Sequence, residues 1–191
     1  MTTRTIRPAV TLLLLMTLLL GIIYPLAVTG IASLAFPQQA AGSLIERDGK
    51  LVGSRLIGQS FTSPGYFWGR PSATAPQANN GTASVASNLG PLNPALIDAV
   101  KSRAQALRAA DPGNALPIPV ELVTASASGL DPEISPAAAR YQAARVARVR
   151  GIAPARIEAL IARHVQDRLL GVFGEPRINV LELNLALDGL H

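Results

Sequence analysis

Polar side chains that could do chemistry are densest between Ser126 and Pro132, where the sequence reads Ser-Ala-Ser-Gly-Leu-Asp-Pro. The hydroxyls of Ser126 and Ser128 and the carboxylate of Asp131 could contact a cation or the backbone of a partner protein. The same residue types also build turns, because Asp-Pro initiates turns and glycine supplies positive φ. The sequence alone leaves both interpretations open.

A second candidate site is the run Tyr66, Phe67, Trp68, Gly69 and Arg70, which places three aromatic rings beside an arginine. Aromatic and arginine side chains dominate the binding energy of protein interfaces, so this run is predicted to contact a partner. The alternative is that the rings form a small plug in the core and anchor the surrounding loop.

The residue counts limit what chemistry the chain can perform. Among its 191 residues there is no cysteine, and the two histidines are His164 and His191. These counts exclude disulfide scaffolds, thiol nucleophiles, Cys-ligated zinc and multi-histidine metal sites. A periplasmic serine hydrolase built on Ser126 or Ser128 would have to use one of the two histidines. No P-loop, G-x-S-x-G or S-x-x-K motif occurs, so we expect neither a catalytic residue nor a metal ligand.

The positive net charge of +5 does not by itself indicate nucleic acid as a partner. No run of lysine and arginine is interleaved with aromatic residues, and a base-stacking platform would need such rings. We therefore expect no nucleic-acid partner. A series of arginines between positions 140 and 168 is interpreted as a solvated face rather than a docking surface. They are Arg140, Arg145, Arg148, Arg150, Arg156, Arg163 and Arg168.

These candidate residues require a scaffold, and residues 46–191 are predicted to form a single mixed α+β domain. Apolar runs predict strands at 51–57, 118–125 and 177–181. Cap and proline signals predict helices from Pro94, Pro136, Pro154 and about Val180. Residues 62–93 lack periodicity and are rich in turn formers, so we predict a long ordered loop.

The amino-terminal segment predicts a membrane anchor. No charged side chain occurs from Pro8 to Ile45, and residues 10–34 are almost continuously apolar. Roughly 20 helical residues span a bilayer, and signal-peptide apolar regions run only about 7–15 residues. A retained transmembrane helix at 10–34 is therefore favoured over a signal peptide cleaved near Ala35, with residues 35–45 as a connector.

Arginines set the predicted orientation of that helix. Arg4 and Arg7 precede the apolar stretch, so the positive-inside rule places residues 1–9 in the cytoplasm. The domain after the connector is then predicted to be outside, which is the periplasm in a bacterial cell.

Small or weakly polar residues recur at every fourth position of the predicted helix. Residues four apart share a helix face, and small faces let membrane helices approach closely. The spacing therefore predicts packing against a partner's membrane helix, with chance scatter as the alternative. The five residues are Thr17, Gly21, Pro25, Thr29 and Ser33.

Taken together, a series of motifs in fixed order resembles the C subunit of the Kdp potassium-transporting P-type ATPase. The matching stretches include Leu56-Ile57-Gly58-Gln59, Tyr66-Phe67 with Gly69-Arg70-Pro71-Ser72, Ser87-Asn88-Leu89, Val120 to Pro132, Tyr141-Gln142, and Glu182-Leu183-Asn184-Leu185-Ala186-Leu187-Asp188. There are two departures: Trp68 stands where the family usually has histidine, and Val85-Ala86 replaces a pair of glycines.

The resemblance implies an accessory subunit of an ATP-driven, high-affinity potassium uptake complex in the bacterial inner membrane. Its implied partners are an ATP-hydrolysing P-type subunit, a channel-like potassium-binding subunit and a small membrane peptide. It also implies a catalytic chaperone that raises the ATP affinity of the hydrolytic subunit. No cofactor is expected on this chain alone, while ATP with Mg and potassium are handled through the complex.

The family's glutamine implicated in nucleotide contact maps onto Gln142. Because ATP is cytoplasmic and the charge argument places Gln142 outside, we expect any effect on ATP affinity to be a coupling between distant sites. A membrane-anchored periplasmic binding module is the alternative function.

Overall fold

The computed structural model describes residues 2–190, so His191 lies outside the described part of the chain. The structure divides into two compact units, one up to Leu44 and the other from Ile45 onward. Mixed helices and small sheets make the fold α+β, as predicted.

The first unit is dominated by one long helical stretch. It consists of helix α1 (Thr2–Leu18), a π-helical turn (Leu19–Ile23) and helix α2 (Tyr24–Ala35). The segment Arg4–Ala35 is long and apolar enough to cross a membrane. The helix ends before Phe36-Pro37, as predicted, but the predicted connector contains the one-turn helix α3 (Pro37–Ala40).

The π-helical turn has a cause in the sequence. Pro25 has no N–H to donate to the carbonyl four residues earlier, so regular α-helical bonding cannot continue through it. The Tyr24 N–H instead bonds to the Leu19 carbonyl, five residues back. Such a turn re-satisfies the backbone without breaking the helix.

A β-hairpin follows, with strand β1 (Leu44–Arg47) and strand β2 (Lys50–Ser54). The connecting residues Asp48 and Gly49 have φ values of 53° and 73°. Positive φ at both central positions is the geometry that Asp-Gly favours in tight hairpins. The predicted strand 51–57 is too long at its carboxyl end, because a turn begins at Ser54, whose carbonyl accepts the Ile57 N–H.

Helix α4 (Pro94–Ala110), helix α5 (Pro136–Arg150), helix α6 (Pro154–His164) and helix α7 (Val180–Asp188) confirm the four predicted helix starts. The side chains of Asn93, Ser135 and Asn179 accept a backbone N–H at the starts of α4, α5 and α7. Helix α5 ends at Gly151, which has a φ of 65°.

The core lies where α5 packs on α6 and α6 packs on α7. Helix α5 buries four alanines, which let neighbouring elements approach closely, beside the larger Tyr141, Gln142, Arg145 and Val146. The side chains with no exposed surface here are Ala138, Ala139, Val146, Ile157, Ile161, Leu183 and Leu187.

The other two predicted strands also need correction. The strand predicted at 118–125 is wrong: this segment forms a 3₁₀ turn at Val120–Leu122, because Pro117 and Pro119 lack the N–H groups a ladder needs. The strand predicted at 177–181 is only β4 (Ile178–Asn179), which pairs antiparallel with β3 (Glu133–Ile134). Residues 62–93 contain no helix or strand, as predicted.

Candidate functional site

The aromatic segment, residues 64–70, has no strand partner although it is partly buried in the domain. The Phe67 N–H donates to Asn184 Oδ1 at 2.9 Å, and Asn184 Nδ2 donates to the Phe67 carbonyl at 2.9 Å. Phe67 itself has no exposed surface. Buried backbone N–H and C=O groups must be hydrogen-bonded. The side-chain amide of Asn184, on α7, provides the two bonds that a neighbouring strand would otherwise give.

Gln142 of α5 does the same for the next residue. Its Oε1 accepts the Trp68 N–H at 2.8 Å, and its Nε2 donates to the Trp68 carbonyl at 3.0 Å. Oε1 also accepts from Arg145 at 2.7 Å, and Nε2 donates to the Ala138 carbonyl at 3.2 Å. The amide is therefore saturated, and it is 1% exposed. A ligand that reached it would have to displace the bonds that hold the aromatic segment.

Arg145 is a buried cation, in contrast to the solvated face predicted for these arginines. It is 2% exposed and donates to the carbonyls of Pro64 and Tyr66. Its guanidinium carbon lies 4.3 Å from the centroid of the Trp68 ring. Burial lowers the pKa of Arg145 to about 10, which leaves it charged at neutral pH. Carbonyl dipoles and an aromatic face compensate this charge.

A second arginine fixes the start of the same segment. Arg150 lies 4.4 Å from the Tyr66 ring centroid and donates to the Gly65 carbonyl at 2.9 Å. It also donates to Asp188 Oδ1 at 2.8 Å, while the Tyr66 hydroxyl donates to Asp188 Oδ2 at 3.2 Å. Side chains of both α5 and α7 thus hold the aromatic segment by hydrogen bonds.

The predicted Ser–Asp cluster meets the end of the aromatic segment. Arg70 Nη1 pairs with Asp131 Oδ2 at 3.0 Å, and the Ser126 N–H donates to the Pro71 carbonyl at 3.1 Å. Ser128 Oγ and Asp131 Oδ1 each accept the N–H two residues later, at 3.1 Å and 3.0 Å. Ser126 is buried and Ser128 is exposed. The bonds of Ser128 and Asp131 are typical of tight turns. The bonds of Ser126 and Arg70 join these turns to the end of the aromatic segment.

Two observations concern the residues that could act as a base or as metal ligands. His164 Nδ1 lies 2.8 Å from the Leu160 carbonyl of its own helix. Within residues 2–190, no group of three or more His, Cys, Asp and Glu side chains is placed to hold a metal ion. What the site can do is hold a loop in one conformation.

The structure brings together Trp68 with Gln142, and Arg70 with Asp131. It supports the core alternative for Phe67, which has no surface to offer a partner, whereas Tyr66 and Trp68 remain partly exposed. The partner-contact role of the segment stays a prediction. The contacts of Arg145 and Asn184 with this segment were not predicted from the sequence, although a polar residue inside the apolar helix α7 was a usable signal for Asn184.

The five small residues of the predicted packing stripe belong to the first unit and are all exposed there. The Thr17 methyl lies 4.0 Å from where a Cβ on Gly21 would be, so these two residues share a face. Their role in packing against a partner helix stays a prediction.

The model of the KdpC family, described as the K+-transporting ATPase c chain, matches residues 6–189. The chain belongs to the KdpC family. The KdpC subunit of Polaromonas naphthalenivorans is 67% identical over 185 residues, covering 97% of this chain and 94% of that relative. The KdpC subunit of Variovorax paradoxus is 67% identical over 183 residues, covering 96% and 95%.

A third relative, the potassium-transporting ATPase KdpC subunit of Dechloromonas aromatica, is 62% identical over 185 residues and covers 97% of both chains. The KdpC resemblance inferred from the motifs is therefore confirmed. The matched region includes most of the candidate membrane span, the aromatic segment and helices α5 and α7.

Proposed function

We propose that this chain is the accessory subunit of an ATP-driven, high-affinity potassium uptake complex in the bacterial inner membrane. The single observation that supports this most is the KdpC match over residues 6–189. Its partners are an ATP-hydrolysing P-type subunit, a channel-like potassium-binding subunit and a small membrane peptide. The chain stabilises this assembly and supplies no catalytic group, while ATP with Mg and potassium bind through the complex.

The proposed topology is a single pass with the amino terminus in the cytoplasm and the domain in the periplasm. Its support is the distribution of charge around the candidate span. Arg4 and Arg7 lie at the amino end, whereas the next charged residue after the span is Glu46. The small-residue stripe from Thr17 to Ser33 would then pack against a partner's membrane helix.

We further propose that the chain raises ATP affinity by coupling rather than by contact with the nucleotide. In this topology Gln142 lies across the membrane from cytoplasmic ATP. Its amide is also buried and fully used in holding Trp68 and Arg145. Gln142 is therefore a positioning residue that keeps the aromatic segment in the conformation its partners recognise. The free energy of the contact between this segment and its partner then biases the hydrolytic subunit toward ATP binding.

The test compares the ATPase complex purified with and without this chain. We expect the KM for ATP to rise several-fold when the chain is omitted, with a smaller change in kcat. Gln142→Met should raise KM part of the way, whereas Gln105→Met, on the exposed face of α4, should leave it unchanged.

Two further readouts separate coupling from contact. A photoreactive ATP analogue should label the hydrolytic subunit and not this chain. Alkaline phosphatase fused after position 191 should be active, because it would fold in the periplasm. Nucleotide label on this chain, or reporter activity confined to the cytoplasm, would contradict the proposal.

A further inference from the structure

A tight turn at residues 80–83 carries the only Asn-Gly pair of the sequence. The Ala83 N–H donates to the Asn80 carbonyl at 3.0 Å and closes the turn. Its central residues, Gly81 and Thr82, are exposed. Asn80 is half-buried, and its own N–H donates to Thr74 Oγ1 at 3.0 Å. The Asn-Gly pair is therefore both ordered and open to water.

The side-chain carbonyl of Asn80 accepts two hydrogen bonds from one residue. The Thr82 N–H donates to Asn80 Oδ1 at 3.1 Å, and the Thr82 hydroxyl donates to the same oxygen at 2.8 Å. A backbone N–H can only donate, so it identifies the atom it contacts as the oxygen of the amide. Asn80 Nδ2 donates to the Ala75 carbonyl at 3.2 Å. Two donors on a carbonyl oxygen stabilise the negative charge that develops there when a nucleophile adds to the carbon.

The backbone nitrogen of Gly81 is the nucleophile that the chain itself supplies, because its attack on Asn80 Cγ closes a succinimide ring. Glycine has no side chain to hinder that attack. Among the described residues beyond its chain neighbours, nothing lies within 4 Å of where a Cβ on Gly81 would be. Within residues 2–190 the Gly81 N–H also has no acceptor, so loss of its proton breaks no hydrogen bond.

We propose that Asn80 is a site of spontaneous deamidation, activated by the two hydrogen bonds from Thr82. Hydroxide takes the Gly81 amide proton, the nitrogen forms a bond to Asn80 Cγ, and the carbonyl electron pair moves to Oδ1. The Cγ–Nδ2 bond then breaks, and Nδ2 takes a proton from water and leaves as ammonia. Water opens the resulting succinimide: cleavage of the new bond to Cγ gives aspartate, and cleavage of the original peptide bond gives isoaspartate.

The modification alters a segment that is tied to the rest of the domain. The product cannot donate to the Ala75 carbonyl as Nδ2 did, it carries a negative charge, and isoaspartate adds a methylene to the main chain. The same segment is held where the Asn79 N–H donates to Ser72 Oγ at 2.9 Å and that hydroxyl donates to the Gly129 carbonyl at 2.6 Å. We therefore expect faster amide exchange across residues 72–83 in the modified chain.

Asn114 provides a matched comparison within the same chain. It is also half-buried and followed by an exposed residue, its Oδ1 accepts the Leu116 N–H at 3.0 Å, and its Nδ2 donates to the Tyr141 carbonyl at 2.8 Å. Within the described part of the chain no second donor reaches this oxygen, and Ala115 stands in place of glycine. The ratio of the two rates therefore measures what glycine and the Thr82 hydroxyl add.

The test incubates the full chain in detergent at mildly alkaline pH and follows both asparagines by peptide mass spectrometry. We expect Asn80 to become aspartate and isoaspartate at least about tenfold faster than Asn114 reacts. Gly81→Ala should slow the reaction at Asn80 by about tenfold, because the added methyl hinders the nitrogen. An Asn80 that stays an amide, or one that reacts no faster than Asn114, would overturn the proposal.

Thr82→Val separates activation by the turn from the reactivity of any Asn-Gly pair. Valine keeps the branched shape and the backbone N–H and removes only the hydroxyl. In the folded chain the substitution should slow the reaction at Asn80 about threefold or more, because one donor on Oδ1 is lost. In urea the turn is lost, so the two chains should react at the same rate. Equal rates in the folded chains, or the same slowing in urea, would overturn the role of Thr82. This inference concerns the chain alone and does not depend on the proposed function.

Discussion

The aromatic segment at 64–70 and the hairpin at 166–177 are two irregular segments with similar composition and opposite environments. Each carries large apolar side chains beside glycines, yet Phe67 has no exposed surface and Phe173 is 64% exposed. The aromatic segment obtains its backbone hydrogen bonds from side chains on α5 and α7. The hairpin obtains its own from backbone to backbone.

This difference shows how a loop becomes part of a core. Apolar side chains can be buried only if the backbone that carries them is also satisfied. Asn184, Gln142 and Arg145 supply that satisfaction for the aromatic segment. The hairpin pairs its backbone without such side chains, and its apolar side chains stay exposed.

The largest expected difference comes from the same substitution in both segments. Phe67→Ala should lower the free energy of unfolding by about 3–5 kcal/mol, because it leaves a cavity in the core. Phe173→Ala should change it by less than about 0.5 kcal/mol, because that ring is exposed. Denaturant unfolding of the full chain in detergent measures both. Similar losses for the two variants would remove the contrast between the segments.

A somewhat smaller decrease in the free energy of unfolding is expected for Arg145→Met than for Phe67→Ala. The substitution keeps much of the volume but leaves the carbonyls of Pro64 and Tyr66 without their donor, at a cost of about 3 kcal/mol. Trp68 is the only tryptophan and lies against Arg145, so its fluorescence reports the change directly. The exposed Arg163→Met should have no measurable effect, and an equally mild Arg145→Met would show that the buried cation does not hold the segment.

Among the three substitutions that affect the aromatic segment, Gln142→Met should lower the free energy of unfolding least, by about 2 kcal/mol. The Trp68 N–H and carbonyl lose their partners, while the flexible methionine still fills the space. Thermal unfolding against Gln105→Met, on the exposed face of α4, measures it. A Gln142→Met chain as stable as the control would mean that the segment does not depend on this amide.

The four helix starts after the first unit could be predicted from local signals in the sequence. Cap residues such as Asn93 and Ser135 act on the next few residues, so their effect can be read from neighbouring letters. The Asp48-Gly49 signal for the first hairpin is equally local and was overlooked. The strand expected at 118–125 does not form, because Pro117 and Pro119 lack the N–H groups of a strand ladder despite the apolar composition of the segment.

The bonds that define the candidate site could not be predicted in the same way. Gln142 and Trp68 are separated by 74 positions, and Asn184 and Phe67 by 117. No periodicity links such residues, and only the packing of α5 and α7 brings them to one segment. The interior position of Arg145 follows from the same packing, which is why it was expected on a solvated face with its neighbours.

Hydrogen exchange on the full chain tests the central contrast most directly. The account predicts that the Phe67 and Trp68 amides exchange slowly, close to the rate set by global unfolding, because Asn184 and Gln142 hold them in the domain. Amides at the hairpin tip around Leu170, whose side chain is 83% exposed, should exchange much faster. Fast exchange at Phe67 and Trp68, or equal rates in the two segments, would contradict it.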